Sequence, residues 1–231
     1  MRLQALQTRL QSIYEVELEH CIDDFLTTDR KFVNHISASG RSSRERILVQ
    51  QEGVDIWISL YLDADVYCRF SQHSDSDRMS NKQATDFCLA AEGVSHFLYL
   101  CWNALFEREV TQLELELQAE VDKYLLLLDH MTADSHRHLH PWLFDDCEFD
   151  TQLNNEELYR YEKANQYASR YCRGLEQRYL RSSRSREMVR EIARLLDEKS
   201  RFSLIFIAET AENYKKIMAA EEEGEDSILL E

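Results

Sequence analysis

The stretch Asn81–Phe106, NKQATDFCLAAEGVSHFLYLCWNALF, constrains the fold more than any other part of the chain. Phe87, Ala91, Val94, Leu98, Cys101 and Leu105 recur at helical spacing, and Phe97, Leu100 and Trp102 widen the apolar face until little polar surface is left. A helix apolar nearly all round is either buried in protein or crosses a membrane. A span needs about 20 mostly apolar residues with few charges, and Asp86, Glu92 and His96 interrupt this run. The stretch therefore reads as the central helix of a bundle, opened by a capping box of Ser80 and Gln83.

The remaining pattern surrounds that helix with others. Thr111 and Glu114 form a second capping box, for a helix reaching Met131, and the short linker before it makes the pair antiparallel. Asn154 and Glu157 open a helix to about Leu180, and a last helix covers 186–220. Residues 2–27 carry one amphipathic stripe, from Leu3 to Phe25, and Asp63 caps a short helix through Phe70. The period changes once. Ile56, Ile58, Leu60 and Leu62 alternate with more polar or aromatic residues, and Glu52-Gly53 separates them from Ile47–Gln51. An isolated hairpin is marginal in water, so Trp57 and Tyr61 on its second face require a third strand or a dimer contact. With only five Gly and one Pro, a β-sandwich or a Gly-rich phosphate loop is disfavoured. The expected fold is mainly α, an antiparallel helical bundle with a small β-hairpin insertion near residues 47–62. One domain is expected over 1–218, followed by an acidic disordered tail over 219–231 with six acidic residues and no basic one.

Candidate chemistry gathers at the central helix. Glu92 and His96 are four apart and share a face. Antiparallel packing brings Glu116 and Glu120 of the next helix towards them, and a Glu92, His96, Glu116, Glu120 set suits a divalent metal ion. The same residues also suit ordinary ion pairs on a partly wet strip. Gly93, costly inside a helix, fits the close approach of a neighbouring helix. Glu17 and His20 have the Glu-x-x-His spacing of di-iron carboxylate bundles, but the chain offers one such pair where two are needed. His136, His138 and His140 alternate in a stretch, 132–152, that reads as irregular. In extended backbone the three would share a face, and Trp142, Leu143 and Phe144 would pin the loop to the core.

Charge narrows the partners. The net charge of −16 disfavours nucleic acid and anionic membranes. Against that trend, Arg170–Arg194 holds eight Arg and three Glu. Arg173, Arg178, Arg181 and Arg184 are candidates for binding phosphate or RNA, although neutralising the acidic bundle explains them as well. The six cysteines are scattered without a C-x-x-C pair, and the N-terminus does not read as a signal peptide, so reduced thiols in a cytoplasmic protein are expected. No P-loop, G-x-G-x-x-G or G-x-S-x-G motif occurs. Function therefore reads first as a non-enzymatic protein acting through a protein partner or a homodimer. A metal-binding bundle or metal-dependent hydrolase stands second, and an Arg-dependent phosphate or RNA binder third.

The segments LYLDAD (60–65), EGVSHFLYLCWNA (92–104) and LELELQAEVDKY (113–124) resemble those of an uncharacterised bacterial protein family. The resemblance implies a cytoplasmic bacterial source and carries no activity or site residue with it.

Overall fold

The computed structural model describes residues 1–36, 43–53, 55–73, 79–131 and 133–177. In chain order the elements are α1 (Leu3–Tyr14), a 3₁₀ turn (Ile22–Phe25), β1 (Leu26–Thr27), α2 (Arg30–Ile36), β2 (Glu45–Glu52) and β3 (Asp55–Leu62). There follow α3 (Ala64–Gln72), α4 (Asn81–Ala104), α5 (Gln112–His130), α6 (Ala133–His140), a π-helical turn (Pro141–Asp145) and α7 (Asn155–Leu175). The helix expected over 186–220 and the acidic tail of 219–231 lie outside the described residues.

Three helix starts follow their capping sequences. Ser80, Thr111 and Asn154 accept from the backbone N–H three residues on, and Gln83, Glu114 and Glu157 accept in return from the capping residue's own N–H. The central helix α4 is buried along most of its length, with Phe87, Val94 and Phe97 fully enclosed. It runs antiparallel to α5. The Phe87 ring meets His130, Ser95 bonds to Asp122, and His96 faces Glu116. α7 also packs on α5 and runs in the same direction as α5, since Tyr161 lies beside Glu116 and Tyr124 donates to Glu176 at 2.8 Å. The bundle is thus antiparallel in its central pair and parallel in its outer one, because α6 and the loop after the π turn carry the chain back before α7 begins. No described helix is long and apolar enough to cross a membrane.

The hairpin forms as its alternation predicts. β2 and β3 pair antiparallel from Glu45↔Leu62 to Glu52↔Asp55, with Gly53 at positive φ in the turn. The third strand is β1, which pairs parallel with β3 at Leu60 and Tyr61. It covers Tyr61, whose hydroxyl accepts from Arg30 Nε at 3.1 Å, but it is too short to reach Trp57, which stays 64% exposed. The two-residue period sends Glu45, Leu60 and Leu62 to the face that packs on α4. A Cβ added to Gly93 would lie 2.5 Å from Leu60 Cδ1 and 3.3 Å from Glu45 Oε1. The close neighbour that Gly93 admits is therefore the sheet, not another helix. Asp86 fixes the opposite end of the contact. Buried in α4, it accepts two hydrogen bonds from Arg69 of α3 and one from Arg44 at the entrance to β2.

Two expectations are corrected. The helix expected over 2–27 ends at Tyr14, where Glu15 turns left-handed (φ 48°). Buried Gln7 takes up the returning chain, donating to the His20 carbonyl at 2.7 Å and accepting from Ile22 N–H at 2.9 Å. Satisfying two buried backbone groups in this way outweighs the apolar period that continues beyond the turn. Glu17 and His20 consequently sit in exposed irregular chain and form no helical pair. Residues 133–145, read as irregular, are helical. Pro141 cannot supply an N–H and crowds the carbonyl four residues back, and the helix opens into the π turn at that residue. His136 and His140 then point inward to the carbonyls of Met131 and Ser169, at 3.1 and 3.0 Å, while His138 is exposed. The three do not share a face. Leu143 and Phe144 do anchor the segment in the core.

Candidate metal centre

Glu92, His96 and Glu116 each place one ligand atom within 4.8 Å of the others, at the contact between α4 and α5. Helical spacing aligns the first two, and the antiparallel register of the helix pair delivers the third. The imidazole lies between two carboxylates. Its Nε2 is 3.7 Å from Glu116 Oε2, and its Nδ1 is 3.6 Å from Oε1 of Glu45, at the start of β2. Both separations exceed hydrogen-bond length. Neither ring nitrogen of His96 has a hydrogen-bond partner, nor does Glu45 Oε1, and all three atoms are buried. Buried polar atoms are rarely left so, and unmet ones indicate an ion or a water.

Glu120, the fourth expected ligand, lies outside this cluster. It accepts from Lys123 Nζ at 2.7 Å, and the same ammonium reaches Glu92 Oε2 at 3.2 Å. Four carboxylates thus meet one ammonium and one imidazole in a largely buried space. Their proton affinities reflect it. Burial pushes Glu45 up to about 7, against the pull of His96, and pushes Glu120 up as well. Burial alone would lower His96, but the Glu116 and Glu45 carboxylates outweigh it and hold the imidazole well above its ordinary range. Glu116 shows the reverse outcome. Burial raises it, yet His96, Tyr161 and Lys123 together bring it below the ordinary range. Lys123 is likewise held well up by Glu120 and Glu92 in spite of its burial. Cys88 beside them is no thiolate ligand, since burial drives its thiol up to about 12.

This arrangement can hold a divalent cation. Glu92, Glu116 and Nε2 of His96 would be the ligands, an oxygen-rich set with one nitrogen, and the Glu45 carboxylate behind Nδ1 would fix the ring's tautomer and direction. Three protein ligands leave coordination positions for water. Glu45, Lys123 and Tyr161 escape sequence reasoning. The readable signal for Glu45 is an acidic residue in phase with Ile47 and Leu60 on an inward strand face; Lys123 signals itself only as the third member of a Glu116, Glu120, Lys123 row along α5. Of the arginine candidates, Arg173 faces Asp145 at 3.9 Å and His140 Nδ1 at 3.5 Å. Arg178, Arg181 and Arg184 lie outside the described residues.

No family model matches the chain, and no curated protein or solved structure matches it.

Proposed function

We propose that this is a cytoplasmic metal-binding helical protein whose Glu92, His96 and Glu116 hold a divalent ion of the manganese, iron or zinc type. What carries the reading is that neither ring nitrogen of His96 makes a hydrogen bond although the ring is buried among carboxylates that outnumber the nearby cations. Burying that much negative charge without a counter-ion is costly. The ion would join α4 to α5 directly and to the sheet through Glu45. Protein purified without a histidine tag is expected to carry stoichiometric metal by mass spectrometry. His96→Ala and Glu116→Gln should abolish it, and Glu45→Gln should weaken it by about 10- to 100-fold. Metal-free protein whose thermal unfolding is the same before and after adding manganese, iron or zinc salts would refute the reading.

A second reading, association with a protein partner or a second copy, has its own support. Val49, Ile56 and Trp57 lie towards the hairpin tip, beyond the cover of the helices, and are 50%, 42% and 64% exposed. If they form the contact, Trp57→Lys converts an associated species to a monomer in light scattering; a wild-type monomer at all concentrations removes the idea.

A further inference from the structure

The sheet is open along one side. Its order is β1, β3, β2, and among the described residues no strand pairs with the outer edge of β2. In the ladder with β3, Asp63 N–H donates to the Arg44 carbonyl. Backbone direction alternates along a strand, so Arg46, Leu48, Gln50 and Glu52 turn their N–H and C=O groups to β3, and Glu45, Ile47, Val49 and Gln51 turn theirs outward. Proteins usually protect such an edge with Pro, Lys or a bulge. The sequence of β2, ERILVQQE, contains neither residue, and its register with β3 runs without a bulge from Glu45 to Glu52.

Two observations indicate what fits there. Val49 and Ile56 lie on the sheet face that carries Leu60 and Leu62 onto α4, yet both are exposed, because the hairpin reaches past the helices. A second copy added antiparallel, about a two-fold axis through the sheet, brings its own helices to that same face at the opposite end. The charges of β2 also match under this symmetry. With the axis at Val49, Ile47 faces Gln51, Leu48 faces Gln50, and Arg46 faces Glu52 on both sides of the axis. Opposite charges across paired strands are stabilising. An axis at Leu48 instead sets Glu52 against Arg44, which already donates to Asp86, and leaves Arg46 against Gln50.

We propose that two copies of this chain join edge to edge through β2, antiparallel about Val49, into one continuous sheet. The proposal rests on the second reading above, association at the hairpin, and names its occupant and its register.

Sedimentation of the whole protein over a range of concentrations tests this. The wild type should be a reversible dimer. Arg46→Glu and Glu52→Arg each set like charges against one another on both sides of the axis, and each should weaken the dimer by roughly tenfold. The two substitutions together exchange the charges and should restore wild-type association. Glu52 is exposed towards the hairpin tip, so Glu52→Arg changes the edge without touching the core. Association that Glu52→Arg does not weaken, or that the double variant does not recover, overturns this pairing while association through other hairpin residues still stands. A monomer at every concentration overturns both.

Discussion

Replacing Lys123 with methionine is expected to destabilise the metal-free protein by about 3–5 kcal/mol, the usual consequence of removing one partner of a buried ion pair. The ammonium is the common partner of Glu92 and Glu120, and its side chain is only 10% exposed. Methionine fills similar volume, so the loss reports charge and not packing. The same substitution should make metal bind more tightly, because Glu92 then has no competing cation. Adding manganese or zinc should accordingly restore most of the lost stability. Urea unfolding of wild type and Lys123→Met, with and without metal, measures both effects. A loss below about 1 kcal/mol would show that the carboxylates take up protons instead. A large loss that metal does not repair would separate the ion pair from the metal site.

Stability should also change with pH in opposite directions with and without metal. Glu45 has a folded pKa of about 7 against an ordinary 4.5, so the folded protein holds more protons than the unfolded chain between those values. Its contribution is full below about 4.5 and is lost as the pH rises through 7. His96 acts with the same sign, being present below its ordinary 6.5 and lost as the pH climbs through its raised folded value. Asp122, raised to about 6 from 3.8, adds to the fall in the lower part of the range. Glu116 is lowered and has the opposite sign, but its window lies below 4.5. The metal-free protein should therefore be more stable at pH 5.5 than at pH 8, with Glu45 alone contributing on the order of 3 kcal/mol across its full window. Bound metal reverses the slope, because its ligands must be deprotonated. Thermal unfolding at the two pH values decides the matter: identical slopes with and without manganese would remove Glu45, His96 and Glu116 from any metal site.

The helical part of this architecture is legible because its signals are local. A capping box needs only residues three apart, and the Ser80, Thr111 and Asn154 boxes each begin a helix where the spacing predicts. The hairpin is legible for the same reason, since alternation over Ile56–Leu62 is a property of one strand. The misread elements depend on distant partners. The first helix ends because Gln7 bonds to chain 13 and 15 residues away, and nothing at Glu15 announces the stop. The histidine segment is helical because its inward residues find carbonyls at Met131 and, across on α7, at Ser169.

The metal cluster divides in the same way. Glu92 and His96 are a pair by helical geometry alone, and a short linker suffices to bring α5 back along α4, so the sequence allows a carboxylate of α5 to approach them. Which carboxylate joins them it leaves open. Glu116 and Glu120 are equivalent by period, and only the packed structure gives Glu120 to Lys123 and leaves Glu116 facing the imidazole. Only the packed structure, again, brings Glu45 from a strand 51 residues earlier against the far side of the ring, through the gap left by a glycine. Local spacing determined which side chains could share a face. The tertiary fold decided which charges are buried together, because burial and Coulomb pairing depend on distances through space that no period along the chain encodes.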